Sequence, residues 1–266
     1  MNCKETLLEY ALGKKLRAFS TTRLGGTGTN QYATFNITPY CGDVAANVLA
    51  NQTDLCHELG IDEKHLILPH QTHGTRTLQI HEKFFHENDD ERTNALEGID
   101  ALITDIPGVC IGISTADCVP ILLYDEENHA IAAIHAGWRG TAGHISTKTI
   151  TAMNRAFGTH PERLRAVIGP SISEAAFEVG DEVYDAFVAA NFPMSTIAHR
   201  CPCNNGGSKW HIDLWAANVL SLEQSGVKLE HIHVSGICTY THHDTFFSAR
   251  RLGVDSGRIY SGIMLK

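Results

Sequence analysis

No run of about 18 uncharged apolar residues occurs in the 266-residue sequence, which argues against a membrane-spanning helix. The longest candidate, 109–124, is interrupted by Ser114, Thr115 and Asp117. The opening fifteen residues mix charges through Leu and Ala and contain no apolar core of a secretory leader, so the cytoplasm is the expected location. A basic surplus is missing as well. Lys and Arg total 21 against 30 Asp and Glu, a formal net charge of -9, which argues against a nucleic-acid partner but not against a small substrate. The eight cysteines form no Cys-x-x-Cys pair, and Cys201-Pro202-Cys203 lacks zinc-finger spacing. In a reducing compartment most of them read as small buried hydrophobes. No repeat at a solenoid period and no low-complexity tract is found. The polar stretches 86–97 and 201–208 read as loops too short to be linkers, so 1–266 is expected to be a single domain.

What is present is a composition with 43% hydrophobic and 19% charged residues, enough for a sizeable core. Sixteen histidines accompany the cysteines, and these are the residue types that bind transition metals. Apolar patterning predicts strands over 16–22, 66–68, 76–80, 100–104, 109–114, 120–124, 131–135, 164–168, 232–235 and 258–264. Helices are expected over 43–59, with Asp43 as N-cap and Val44, Val48, Leu55 and Leu59 on one face, and over 141–157, 181–190 and 214–225. Strands come in runs rather than alternating with helices. The expected class is therefore α+β with a mixed sheet.

Three segments concentrate chemistry: His70-Gln71-Thr72-His73-Gly74, Thr115-Ala116-Asp117-Cys118-Val119-Pro120, and His135-Ala136-Gly137-Trp138-Arg139-Gly140. Each places a metal-ligand type where a strand end meets a turn. Two imidazoles and a thiolate form a three-ligand zinc set with a fourth position open, the pattern of a catalytic site. Zinc held so would acidify a bound water and polarise an acceptor atom. The residues by themselves leave two other readings open. Cys118 and His135 are also a nucleophile–base pair, and all three are also ordinary hydrogen-bonded side chains. A structural zinc closed by His70 as fourth ligand is a further option. His231-Ile232-His233 is the sole His-x-His pair and reads as a half-buried strand with both rings on one face.

The same segments closely resemble one family, called peptidoglycan editing factor, multicopper polyphenol oxidase or laccase-domain purine nucleoside phosphorylase. The similarity extends through Phe19-Ser20-Thr21-Thr22-Arg23, Phe35-Asn36, Gly169-Pro170-Ser171-Ile172, Phe177-Glu178-Val179-Gly180, Cys238-Thr239 and Phe246-Phe247-Ser248, with Arg250-Arg251 and Gly257-Arg258 closing the chain. Two positions depart from the family pattern. Asn51-Gln52 stands where Asn-Arg is usual, and Ala249 where a Tyr is usual.

The resemblance implies a four-layer α/β/β/α sandwich and His73, Cys118 and His135 as zinc ligands, with copper the less favoured metal. It implies phosphorolysis of adenosine, guanosine, inosine or methylthioadenosine to base and ribose 1-phosphate, with adenosine deamination as a second reaction. Hydrolytic editing of wrongly built peptidoglycan precursors and copper-dependent phenol oxidation are the alternatives. The expected partners are a purine nucleoside and phosphate. Phosphate is expected on Arg forks and on amides at a helix start, with Arg23, Arg139, Arg250 and Arg258 as candidates. Asn36 and Gln71 suit purine or ribose hydrogen bonds. Asp117, next to Cys118, or His70, near His73, is the candidate proton shuttle, and Trp138, Phe246 and Phe247 are candidates for stacking on a purine.

Overall fold

The computed structural model describes residues 6–202 and 207–266. In chain order the elements are β1 (Leu7–Glu9), β2 (Leu16–Thr21), α1 (Ala45–Leu59), β3 (Leu66–Ile67), β4 (Thr77–Gln79), α2 (Asp89–Leu96) and β5 (Ala101–Thr104). There follow β6 (Cys110–Thr115), β7 (Val119–Asp125), β8 (Ala130–Ala136), α3 (Trp138–Ala142), α4 (Ile145–Phe157), β9 (Arg165–Ile168), β10 (Glu178–Val179) and α5 (Asp181–Ala189). The chain closes with α6 (Met194–Ile197), β11 (Ala198–Pro202), β12 (Ser208–Ile212), α7 (Leu214–Gln224), β13 (Ile232–Val234), α8 (Ala249–Leu252) and β14 (Ile259–Leu265).

Two mixed sheets carry the fold. One has the order β1-β2-β14-β6-β3 and the other β13-β9-β7-β8-β5-β4, with β10-β12-β11 forming a small third sheet. Alternation along each strand assigns its residues to layers. Leu122, Tyr124, Ile131 and Ala133 of the second sheet meet Ala18, Ile111, Ile113 and Ile263 of the first in a shared apolar layer. The opposite face of the second sheet (Ile121, Leu123, Ala132, Ile134) packs on Ile150 and Met153 of α4 and Leu214, Ala217 and Leu222 of α7. The opposite face of the first (Phe19, Cys110, Tyr260, Met264) packs on Leu55 and Leu59 of α1. The result is helix, sheet, sheet, helix: the expected α/β/β/α sandwich of the α+β class.

The central strands read as unbroken apolar runs because both faces are covered. Close packing there leaves no spare volume. A Cβ on Gly112 of β6 would clash with the ring of Tyr260, which is fully buried. Gly112→Ala should therefore destabilise the protein by roughly 1–3 kcal/mol through overpacking, read as a lower urea midpoint at unchanged slope.

Several local expectations are corrected. Val44, not Asp43, is the N-cap of α1 and is 60% exposed, so it leaves the buried face. Asp43 is drawn away because its Oδ2 accepts from Asn36 Nδ2 (2.9 Å). The helix expected over 141–157 is two helices, α3 and α4, broken at Gly143 and His144. His144 sits at φ 56, in the left-handed region. The 86–97 stretch is not a loop throughout. Asn88 and Glu91 form a reciprocal capping box that starts α2, a helix with no buried residue. The flanks of the 201–208 stretch belong to β11 and β12, while Cys203 and the rest of 203–206, like Cys3, lie outside the described residues. His231 ends a 3-10 turn and only His233 lies in β13, where it is exposed, so the expected strand covers just part of the pair.

Candidate metal centre and cleft

One end of the two sheets gathers the chemistry. β7 and β8 are antiparallel, and Val119 pairs with Ala136, which puts Cys118 and Gly137 just past the ladder at the same end. β5 starts there too, because Ala101 pairs with Ile134. β6 ends in the first sheet and β7 begins in the second, so 116–118 is the corner where the chain crosses between sheets. Asp117, at φ 87, makes that corner. The 68–76 segment, leaving β3, delivers His73 at φ 60.

These elements bring the nitrogen and sulfur ligand atoms of His73, Cys118 and His135 within 4.8 Å of one another. The His73 and His135 rings meet edge to face, 4.8 Å between centroids. His135 is 3% exposed, Cys118 half-buried and His73 exposed, so the group is supported from within and open on one side. A Cβ on Gly137 would stand 3.0 Å from Cys118 Sγ, 3.2 Å from His73 Cδ2 and 3.7 Å from His135 Nε2. Glycine there leaves the space between the three ligands clear.

Asp100, the fully buried residue just ahead of β5, ties the group together. As an ionised carboxylate it only accepts, so His135 Nδ1 donates to its Oδ1 (2.7 Å) and Nε2 is left as the ligand atom. The His73 amide donates to the same oxygen (3.0 Å), and the amides of Gly74 (2.7 Å) and Thr72 (3.4 Å) donate to Oδ2. Burial alone would raise the carboxyl. The hydrogen bond and charge of His135, with the Gly74 and Thr72 amides, outweigh it and hold Asp100 below the usual carboxylate range. Burial would likewise raise the Cys118 thiol, but the neighbouring His135 and His73 rings draw it down to about 6. Burial opposes charge on His135, yet the Cys118 thiolate and Asp100 push it up to about 9. A thiolate and two imidazoles, one of them oriented by a carboxylate, suit zinc in both atom type and outer support. His70 is not in the ligand group, and among the described residues no fourth protein ligand closes the site.

A cleft of about 350 Å³ opens over the group. Gln71, His70, Tyr40, Ser114, Thr115, Ala249, Val254 and Arg258 line it beside the trio, and no carboxylate does. Gln71 clamps the end of β6: its Nε2 donates to the Ser114 carbonyl (2.8 Å) and its Oε1 accepts from the Ser114 amide (2.7 Å). His70 Nδ1 donates to Glu97 Oε2 (2.8 Å), and its ring stacks on Tyr40 with centroids 4.5 Å apart.

The other sequence-derived candidates lie elsewhere or are occupied. Arg23 donates to the carbonyls of Ala33 (2.7 Å) and His243 (2.6 Å) and stacks on Phe247. Arg139 is exposed and covers Trp138, outside the cleft lining. Arg250 donates to the carbonyls of Ala176 (3.4 Å) and Glu178 (3.1 Å). Asn36 is buried and bonded to Asp43 and to the Arg258 amide. Asp117 accepts from Thr239 Oγ1 and from the Arg250 amide, both at 2.7 Å. Phe246 and Phe247 are buried in a small apolar cluster. Asn51 holds the Thr34 and Asn36 carbonyls, and Gln52 the Ile37 carbonyl. Of the four arginines only Arg258 reaches the cleft. Sequence reading missed Asp100, the stacking of Tyr40 on His70 and the His70–Glu97 hydrogen bond. An acid at the head of the apolar run 100–104 was the available sign of the first, because a buried carboxylate needs donors.

Comparison with known proteins agrees in extent. The family described as multi-copper polyphenol oxidoreductase laccase matches residues 17–266. A protein named purine nucleoside phosphorylase from Bacteroides thetaiotaomicron is 49% identical over 98% of this chain and 94% of its own length. One named adenosine deaminase RL5, from an unknown prokaryotic organism, is 45% identical over 94% of each chain. The crystal structure of YlmD from Geobacillus stearothermophilus superposes with a TM-score of 0.88 at 28% identity, covering 99% of this chain and 97% of that one. With the match running from β2 to the last residue, the chain belongs to the multi-copper polyphenol oxidoreductase laccase family.

Proposed function

We propose that this chain is a zinc-dependent purine nucleoside phosphorylase. It would convert adenosine, guanosine, inosine and methylthioadenosine, with phosphate, to free base and ribose 1-phosphate, and would deaminate adenosine to inosine as a second reaction. The observation that carries this reading is the His73–Cys118–His135 group, oriented from behind by Asp100 and open to a cleft of nucleoside size. The names of the relatives support the activity class.

In this reading His73, Cys118 and His135 hold the metal. Once bound, zinc supplies Lewis acidity and a water of lowered pKa. The chain's own residues do the positioning. Asp100 fixes the His135 tautomer and the His73 loop together. Gln71 holds the end of β6 against the site, and Asp117 holds the corner and the start of α8 rather than shuttling protons. The donor set also suits copper. Multicopper chemistry needs further ligand groups, and among the described residues the trio is the sole group of three or more metal-ligand side chains. Purified protein should carry about one zinc per chain and form ribose 1-phosphate from adenosine and phosphate. Ribose as the product would indicate hydrolysis and refute phosphorolysis.

Metal affinity should depend on pH with a definite sign. His135 holds its proton up to about 9 and Cys118 loses its own above about 6, so near pH 7.5 metal must displace the His135 proton. Affinity should rise with pH toward 9 and fall more steeply below 6, where the thiol also competes. Calorimetry in buffers of different ionisation enthalpy should register about one proton released from this pair per metal bound at pH 7.5.

A further inference from the structure

Cleavage of a purine nucleoside leaves an electron pair on the base, and the base departs readily only if its N7 takes up a proton as the bond from N9 to C1′ breaks. A proton carrier is therefore needed in the cleft. Few lining groups qualify. His73, Cys118 and His135 form the metal group, and Arg258 keeps its proton at any working pH. Burial, with the nearby charge of Glu97, raises the Tyr40 phenol, and burial raises the Cys41 thiol, so both hold their protons at neutrality. No Asp or Glu lines the cleft. Asp117 is already occupied, with Thr239 bonded to one oxygen and the Arg250 amide to the other, and it lies outside the lining. His70 is what remains. Imidazole is the side-chain type that both gives and takes a proton near neutrality.

His70 is also mounted for the task. Its amide donates to the Leu96 carbonyl (3.1 Å) and its carbonyl accepts from the Gly98 amide (2.9 Å), which seats it beside Glu97 in a parallel bridge. The Glu97 carboxylate accepts from Nδ1, with its two oxygens 2.9 and 2.8 Å away. That bond fixes the tautomer, so the second proton comes and goes at Nε2. Nε2 has no hydrogen-bond partner among the described residues. The His70 side chain is 41% exposed, and the residue lines the cleft beside His73. Tyr40 stacks on the ring and limits its rotation. A carboxylate, an imidazole oriented by it and an open far nitrogen make up an acid–base dyad.

We propose that His70, oriented by Glu97, is the general acid of this cleft. Protonated at Nε2, it gives that proton to purine N7. The N9–C1′ bond breaks with its electron pair going to the base, and a phosphate oxygen bonds to C1′. Hydrogenphosphate brings the proton that restores His70. One nucleoside and one hydrogenphosphate thus become one neutral base and one ribose 1-phosphate dianion. This assignment rests on the phosphorolysis reading above and adds the residue that serves its leaving group.

The test uses zinc-loaded full-length protein with guanosine and with 7-methylguanosine, whose base is already cationic and departs neutral without a proton. His70→Gln keeps a hydrogen-bonding side chain that cannot carry a proton. Its kcat for guanosine should fall about a hundredfold or more, with KM within about threefold and with zinc content and Tm as in wild type. Its kcat for 7-methylguanosine should stay within about threefold of wild type. Glu97→Gln should lower the guanosine kcat about tenfold, the fold-change for losing a hydrogen bond to a charged group, and should spare the methylated substrate. Imidazole added to His70→Ala should raise its guanosine rate in proportion to concentration, a readout that also decides the matter if wild type excludes the methylated base. A guanosine kcat in His70→Gln within about threefold of wild type would overturn the proposal. So would equal losses on the two substrates, a loss of zinc, or no response to imidazole, each of which would give His70 a placing role instead. If wild type releases ribose in place of ribose 1-phosphate, the phosphorolysis reading fails, yet the two substrates still decide the role of His70, because hydrolysis needs the same proton. If wild type forms ribose 1-phosphate and His70→Gln matches its rate, the assignment of His70 fails alone.

Discussion

Cys118→Ser should reduce ribose 1-phosphate formation to below about one per cent of wild type and weaken zinc binding by more than about a hundredfold. Cys118 is the only thiol in the ligand group, and it is held as thiolate from about pH 6 upward by its two imidazole neighbours. A serine hydroxyl of similar size stays protonated at neutral pH and is a poor zinc ligand. The metal-free fold should tolerate the change, because the neighbouring corner is held by Asp117, whose carboxylate bonds to Thr239 and the Arg250 amide remain. Activity and metal content are therefore expected to fall together while the metal-free Tm moves little. Chelation of wild type should reproduce the same loss, and zinc should reverse it. A metal-free cysteine hydrolase would also lose activity in Cys118→Ser, but it would ignore the chelator.

Asp100→Asn should act on both stability and metal. The carboxylate accepts four hydrogen bonds with no exposed surface, from the His135 ring and the amides of Thr72, His73 and Gly74. An asparagine offers one oxygen and one NH2, so at least one amide or the ring faces a donor instead of an acceptor. Breaking a buried charged network in this way costs about 3–5 kcal/mol. It also releases the Nδ1 proton that keeps Nε2 as the ligand atom, which should weaken zinc by about 10- to 100-fold. The pH dependence has a fixed sign. Asp100 is an acid held below its usual range, so its stabilisation is fully present above about pH 4 and is lost as pH falls through its folded value. The variant should lack that acid-side decline. A urea series at pH 3 to 7 for both proteins, with metal removed, checks it. Equal acid slopes would mean that Asp100 does not carry the dependence.

Much of this site was legible in the sequence for a physical reason. β7 and β8 are buried on both faces, so they read as unbroken apolar runs, and the polar residues at their ends stand out by contrast. Cys118 and His135 are such residues. His73 follows a short apolar strand in the same way. The six-stranded and five-stranded sheets could not be told apart from the pattern alone, because fully covered strands of both share one signature. α2 was missed because its helical cue is a capping box, not an apolar stripe. The break between α3 and α4 was missed because it depends on the left-handed conformation of a histidine rather than on a proline. The arginines show the limit most clearly. Arg23 and Arg250 have the right chemistry for phosphate, but their guanidinium groups hold backbone carbonyls, and only three-dimensional placement reveals that.

Zinc on His73, Cys118 and His135 should be required for phosphorolysis in this chain. The most direct test titrates metal-free protein with zinc and, in parallel, with copper, following ribose 1-phosphate released from adenosine in phosphate buffer. Activity should rise linearly with zinc and saturate at about one equivalent per chain, and copper should not substitute. Full activity in the metal-free protein, or activity restored by copper and not by zinc, would contradict it.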